Sequence, residues 1–174
     1  TRQIQDESDR AQALGKLVQQ LPELLPEALA AARQIQDEYF RAEALRDLAR
    51  QFPELLPKAL EATRQIQDKD SRAEALGKLA PHLPPELLPE ALEIAGQIQN
   101  EYDRALALKD LAQQFPELLP EALEITRQIQ NEYYRADALG NLAPYLPPEL
   151  LPEALEIARQ IQSEYYREIG RAHV

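Results

Sequence analysis

The chain has no cysteine, no methionine and no tryptophan among its 174 residues. Without cysteine there is no disulfide framework and no thiolate metal site, and the redox compartment leaves no mark. Histidine occurs only at His82 and His173, in a loop and in the tail. A metal site or a histidine acid–base pair needs convergent partners, which this register does not supply. Serine occurs only at Ser8, Ser71 and Ser163, at or near helix starts, where local capping accounts for it. No catalytic residue, cofactor site or metal site is expected.

Basic charge is also scarce, with 19 Lys and Arg against 30 Asp and Glu and a net charge of −11. That balance opposes the phosphate neutralisation on which non-specific nucleic-acid binding rests, so nucleic acid and anionic membrane are not expected partners. A charged partner is expected to be basic. No apolar run approaches the roughly 18 residues of a membrane span, and the opening Thr-Arg-Gln-Ile-Gln lacks a signal-peptide apolar segment. The expected setting is cytoplasmic. A start in mid-repeat and the lack of methionine are what a fragment of a longer array would show.

What is present repeats. Arg-Gln-Ile-Gln, with Gly replacing Arg once, starts at Arg2, Arg33, Arg64, Gly96, Arg127 and Arg159. The central isoleucines, Ile4, Ile35, Ile66, Ile98, Ile129 and Ile161, lie 31, 31, 32, 31 and 32 residues apart, which marks a tandem array. Copies divide near 1–21, 22–52, 53–83, 84–115, 116–146 and 147–174, and the whole chain reads as one repeat domain.

In residues 53–83, Leu55, Leu56, Ala59, Leu60, Thr63 and Ile66 recur at helical spacing, which predicts an amphipathic helix A of about four turns. Asp68 follows, and Asp6, Asp37, Asn100, Asn131 and Ser163 hold the equivalent sites. All are residue types that cap a helix start, so a helix B begins there. In the second copy Ala42, Leu45, Leu48, Ala49 and Phe52 form its buried stripe. Pro22, Pro53, Pro84 with Pro85, Pro116, and Pro147 with Pro148 stop helix B. A second proline column at Pro26, Pro57, Pro89, Pro120 and Pro152 lies four residues on, so Pro-Glu-Leu-Leu is expected as a separate turn with helix A starting at the second proline. The link from A to B is too short for anything but an antiparallel hairpin. The fold class is therefore all-α, a right-handed α-solenoid of about five and a half hairpins.

A longer period overlies this one. Residues 80–105 and 143–168 match at 21 of 26 positions, so the duplicated unit is 63 residues. Such similarity fits recent duplication or engineering from a repeat template, and scattered differences such as Gly96 against Arg159 fit drift. In the last copy, Arg167-Glu168-Ile169-Gly170-Arg171 puts charge and glycine at core positions, so its helix B is expected to fray near Arg167.

The run Asp37-Glu38-Tyr39-Phe40-Arg41-Ala42-Glu43-Ala44-Leu45, with Leu48 and Ala49, resembles the short helical-hairpin repeats of bacterial multi-repeat proteins, similar in architecture to TPR and HEAT arrays. The unit is shorter than a true TPR and lacks its tryptophan and glycine marks. The resemblance implies a non-enzymatic scaffold for protein or peptide interaction, and carries over no catalytic residue.

Candidate binding residues follow from the repeats. Arg10, Arg41, Arg72, Arg104, Arg135 and Arg167 stand three residues after Glu7, Glu38, Lys69, Glu101, Glu132 and Glu164, and the five Glu to Arg pairs among them read first as surface ion pairs along helix B. Tyr39, Phe40, Tyr102, Tyr133, Tyr134, Tyr165 and Tyr166 share that edge, and tyrosine supplies rigid amphipathic contact area. A protein-binding edge would comprise Tyr39, Arg41, Tyr102, Arg104, Tyr133, Tyr134, Arg135 and Tyr165. The glutamines flanking each isoleucine, such as Gln34 with Gln36, are expected to bond from repeat to repeat. The alternative to a binder is a structural array that self-associates through uncapped terminal hairpins, with Ala11, Leu14, Leu17 and Val18 exposed on the first helix B.

Overall fold

A computed structural model describes residues 2–161, with side chains from Glu7 onward. All regular structure among the described residues is helical. The α-helices are α1 (Arg2–Leu17), α2 (Leu25–Gln34), α3 (Glu38–Ala49), α4 (Leu56–Arg64), α5 (Lys69–Leu79), α6 (Leu88–Gly96), α7 (Glu101–Ala112), α8 (Leu119–Gln128), α9 (Glu132–Leu142) and α10 (Leu151–Arg159). Odd members through α9 are helix B, and even members are helix A. Contacts group the chain into two compact units, Thr1–Ile94 and Ala95–Val174.

Proline punctuates the chain as its chemistry requires. Each Pro-Glu-Leu, at Pro22–Leu24, Pro53–Leu55, Pro85–Leu87, Pro116–Leu118 and Pro148–Leu150, is a separate 3₁₀ turn. The second proline column then falls in the first turn of the α-helix, where the missing N–H has no intrahelical acceptor to lose. The 32-residue copies carry a further 3₁₀ turn, at Ala80–His82 and Ala143–Tyr145. Pro81 and Pro144 lack the N–H that would continue α5 and α9 and clash with the carbonyl four residues back, so helix B ends early there.

Helix A is shorter than its apolar spacing predicts. α4 ends at Arg64, and the equivalent Ile35 and Ile129 already have extended backbone angles. Ile66 is therefore buried but not helical. Its apolar side chain anchors the corner rather than adding a turn.

Four corners are capped as expected. Asp37 accepts from the N–H groups of Tyr39 and Phe40, Asp68 from Ser71, Asn100 from Tyr102 and Asp103, and Asn131 from Tyr133 and Tyr134. Asp6 is not at a helix start, since α1 runs unbroken from Arg2 to Leu17. The backbone N–H of Gln36 donates to Glu7 at 3.3 Å and that of Gln67 to Glu38 at 2.7 Å, each carboxylate coming from the helix B one copy earlier. Ser163 lies outside the described residues, as does the expected fraying near Arg167.

Packing is most extensive between helices joined by proline, α1 with α2, α3 with α4 and α7 with α8, while the corners join α2 to α3, α4 to α5 and α8 to α9. Helices B also pack on one another, α1 on α3, α3 on α5 and α7 on α9. Alanine makes this close approach possible. Ala28, Ala42, Ala59, Ala73, Ala122 and Ala136 are buried at the seams, and Leu48, Leu60, Leu76, Leu108, Leu123 and Leu139 fill the space between. The predicted stripe of the second helix B is buried at Ala42, Leu45, Leu48 and Ala49, with Phe52 half-buried.

Three of the flanking glutamines bond within their own corner rather than from repeat to repeat. Gln36, Gln67 and Gln130 turn their side-chain amides back to the carbonyls of Gln34, Gln65 and Gln128, closing their own corners. In the first unit the repeat-to-repeat bond uses the backbone N–H of the same residues.

Candidate functional site

The helix B edge gathers the predicted residues, with roles that differ between arginine and tyrosine. Arg41 donates from Nη1 to the carbonyl of Ile35 at 2.9 Å, and Arg135 from Nη1 to that of Ile129 at 2.7 Å. Carbonyls at a helix A end have no intrahelical donor, so these guanidinium groups complete the corner. The expected Glu to Arg ladder holds in part: Arg135 pairs with Glu132 at 3.9 Å, whereas Arg10 pairs with Glu27 of α2 at 3.6 Å. Arg104 is half-buried at the equivalent place on α7.

Tyrosine bridges neighbouring helices B. In the first unit the Tyr39 hydroxyl donates to Glu74 of α5 at 2.9 Å and accepts from Lys78 Nζ at 2.7 Å. Lys78 also reaches Glu43 at 3.2 Å and Glu74 at 2.7 Å, and its ammonium lies 5.4 Å from the Tyr39 ring centre. Burial raises the Tyr39 pKa, with the lysine hydrogen bond opposing. The bonds from Lys78 and Tyr39 hold Glu74 below its ordinary range, and those from Glu74 and Tyr39 push Lys78 up.

In the second unit the Tyr102 hydroxyl donates to Asp137 of α9 at 2.6 Å. Burial, followed by the Asp137 bond, raises its pKa. The Tyr134 ring stands 4.9 Å from that of Tyr102 and 5.3 Å from that of Tyr133, and both Tyr133 and Tyr134 are exposed. Tyr39 and Tyr102 thus pack into the seam, while Phe40 remains exposed. Tyr165 lies outside the described residues.

A groove of about 470 Å³ runs between α1 and α3. Its floor includes Ala11, Gly15 and Ala44, and Gln12, Lys16, Phe40 and Gln51 stand among its walls. Gly15 lines it without a side chain, and the residue one copy later is Arg46, which spans to Glu43 and Asp47. The sequence reading passed over this groove, and the alternation of Gly15, Arg46 and Gly77 was the available signal.

The first helix B is less bare than expected. Ala11 and Val18 are buried, Ala11 in a cluster with Ala31 and Ile35, because α1 lies against both α2 and α3. Leu14 packs against that cluster, which leaves Leu17, 47% exposed, with Leu21 nearby. Among the described residues no three His, Asp or Glu side chains are placed to hold a metal ion, and no helix is long and apolar enough to cross a membrane.

Comparison with known proteins finds no matching family model, no matching curated protein and no matching solved structure.

Proposed function

We propose that the chain is a non-enzymatic helical-repeat scaffold, a right-handed α-solenoid of about five and a half hairpins that binds protein or peptide segments on its helix B side. The α1 to α3 groove carries this reading. It is lined by the small residues Ala11, Gly15 and Ala44, by hydrogen-bonding side chains such as Gln12, Lys16 and Gln51, and by the exposed Phe40 ring. Such a trough offers backbone-length contact to an extended segment and an aromatic anchor for one side chain.

Selection from a library of random dodecapeptides tests it. Enriched peptides should lose roughly tenfold or more in affinity for Gly15→Arg combined with Phe40→Ala. A side chain at Gly15 is sterically allowed, since its Cβ would meet only Leu48 Cδ2 at 3.8 Å. Enrichment of nothing, or of peptides indifferent to both changes, would reject the groove as the binding site.

A second reading rests on Leu17 and Leu21, two exposed leucines at the end of α1, and makes the chain a structural array that associates through its ends. Sedimentation equilibrium should then show average mass rising with concentration, and Leu17→Glu with Leu21→Glu should suppress the rise. A constant monomer mass would dismiss self-association.

A further inference from the structure

The 63-residue duplication allows the protein to be compared with itself. Tyr39, Glu74 and Lys78 of the first unit correspond to Tyr102, Asp137 and Asn141 of the second. The tyrosine and the carboxylate persist, and so does the bond between them, 2.9 Å in one and 2.6 Å in the other. The cation does not persist. Where Lys78 places an ammonium against ring, hydroxyl and carboxylate, Asn141 donates its amide to the Asp137 carbonyl at 2.9 Å and to Asp137 Oδ2 at 3.1 Å.

The surroundings have changed as well: Glu43, which reaches Lys78 at 3.2 Å, is Leu106 in the second unit. Tyr134 replaces Ser71 and adds a second ring beside Tyr102, while Asp103 replaces Phe40 and adds a carboxylate whose field acts on Tyr102. The Tyr102 oxygen donates to Asp137 and keeps lone pairs, as the Tyr39 oxygen does when it accepts from Lys78. Tyr134 and Asn141 are exposed, so the place is open to a partner.

Resting on the scaffold reading, we propose that Tyr102, Tyr134, Asp137 and Asn141 form a docking point for a lysine side chain of a basic partner polypeptide, taking from outside the ammonium that Lys78 supplies within the first unit. Aromatic faces and a carboxylate attract such a head group together, and the acidic chain favours a basic segment around it.

The test uses a fluorescein-labelled Gly-Ser-Lys-Gly-Ser-Lys-Gly-Ser peptide, its acetyl-lysine counterpart and the whole chain, followed by anisotropy at about 50 mM salt. The lysine peptide should bind saturably and the acetylated one should not. Asn141→Lys, which installs the resident cation, should weaken binding by about fivefold or more, whereas the charge-matched Gln128→Lys on α8 should change it less than about twofold. Circular dichroism establishes that each variant is folded. Equal loss in the two lysine variants, equal binding of the acetylated peptide, or no binding by the parent chain would overturn the assignment. Library peptides that depend on Gly15 but ignore Asn141 would sink this docking point and keep the scaffold; peptides that depend on neither would sink the groove as well.

Discussion

Leu76 and Leu139 occupy the same place 63 residues apart, and both are fully buried. Truncating either to alanine removes three carbons from water-free surroundings, about 2.4 kcal/mol of lost transfer energy at roughly 0.8 kcal/mol per carbon. A residual cavity adds about 24 cal/mol per Å³ where the neighbours do not collapse, so each substitution should cost about 3 to 5 kcal/mol. The flanking alanines favour the upper half of that range, since short side chains cannot swing into the void. Leu17→Ala is the control; nearly half its surface is already wet, and its cost should stay below about 1 kcal/mol. Urea unfolding followed by far-ultraviolet circular dichroism is the appropriate assay, as the chain has no tryptophan to report. Leu76→Ala and Leu139→Ala should lower stability by similar amounts. If both leave the midpoint where it was, or if Leu17→Ala costs as much as either, the assignment of the buried stripe is wrong.

Three further outcomes are expected. Glu38→Ala removes the acceptor of the Gln67 N–H, so amide exchange at Gln67 should accelerate while Gln36, served by Glu7, stays as it was; unchanged protection at Gln67 would refute the bond's role. Gly96→Ala should stabilise by about 0.4 to 1 kcal/mol, because Gly96 has no positive φ and a Cβ there meets nothing within 4 Å; a loss of stability in thermal unfolding would contradict this. Glu74 is held below its ordinary range when folded, so its contribution is present above the unfolded carboxylate pKa and lost as pH falls through the lowered folded value. The melting-temperature gap between the parent chain and Glu74→Gln should therefore narrow below about pH 4, and a gap constant from pH 7 to pH 3 would count against the Lys78 network.

The parts legible in the sequence were those set by local chemistry. Proline gave the Pro-Glu-Leu-Leu turns and the starts of helix A, and Asp37, Asp68, Asn100 and Asn131 gave the starts of helix B. Periodicity overran at Ile66 because burial and helicity share the same spacing, and an apolar residue anchoring a corner looks like one more helical position. Arg41 and Arg135 were placed on the right edge without their carbonyl partners, since a glutamate three residues away is visible in a sequence and a carbonyl six residues back is not marked by any residue type. Ala11 and Val18 were taken as bare because the count of neighbours started from the preceding copy, whereas α1 receives α2 and α3 from the following one. The proposed docking point around Asn141 is visible on aligning the two 63-residue halves, where Tyr39 recurs as Tyr102 and Glu74 as Asp137 while Lys78 becomes Asn141.

The glutamate that one helix B extends to the next corner in the first unit gives the repeat a direction in time as well as in space. The corner at Gln36 is bonded to Glu7, and the corner at Gln67 to Glu38, so in both cases the acceptor precedes the donor by 29 residues. A ribosome delivers the copies in the same order, so at each of these two corners the helix that supplies the acceptor is made before the backbone that needs it.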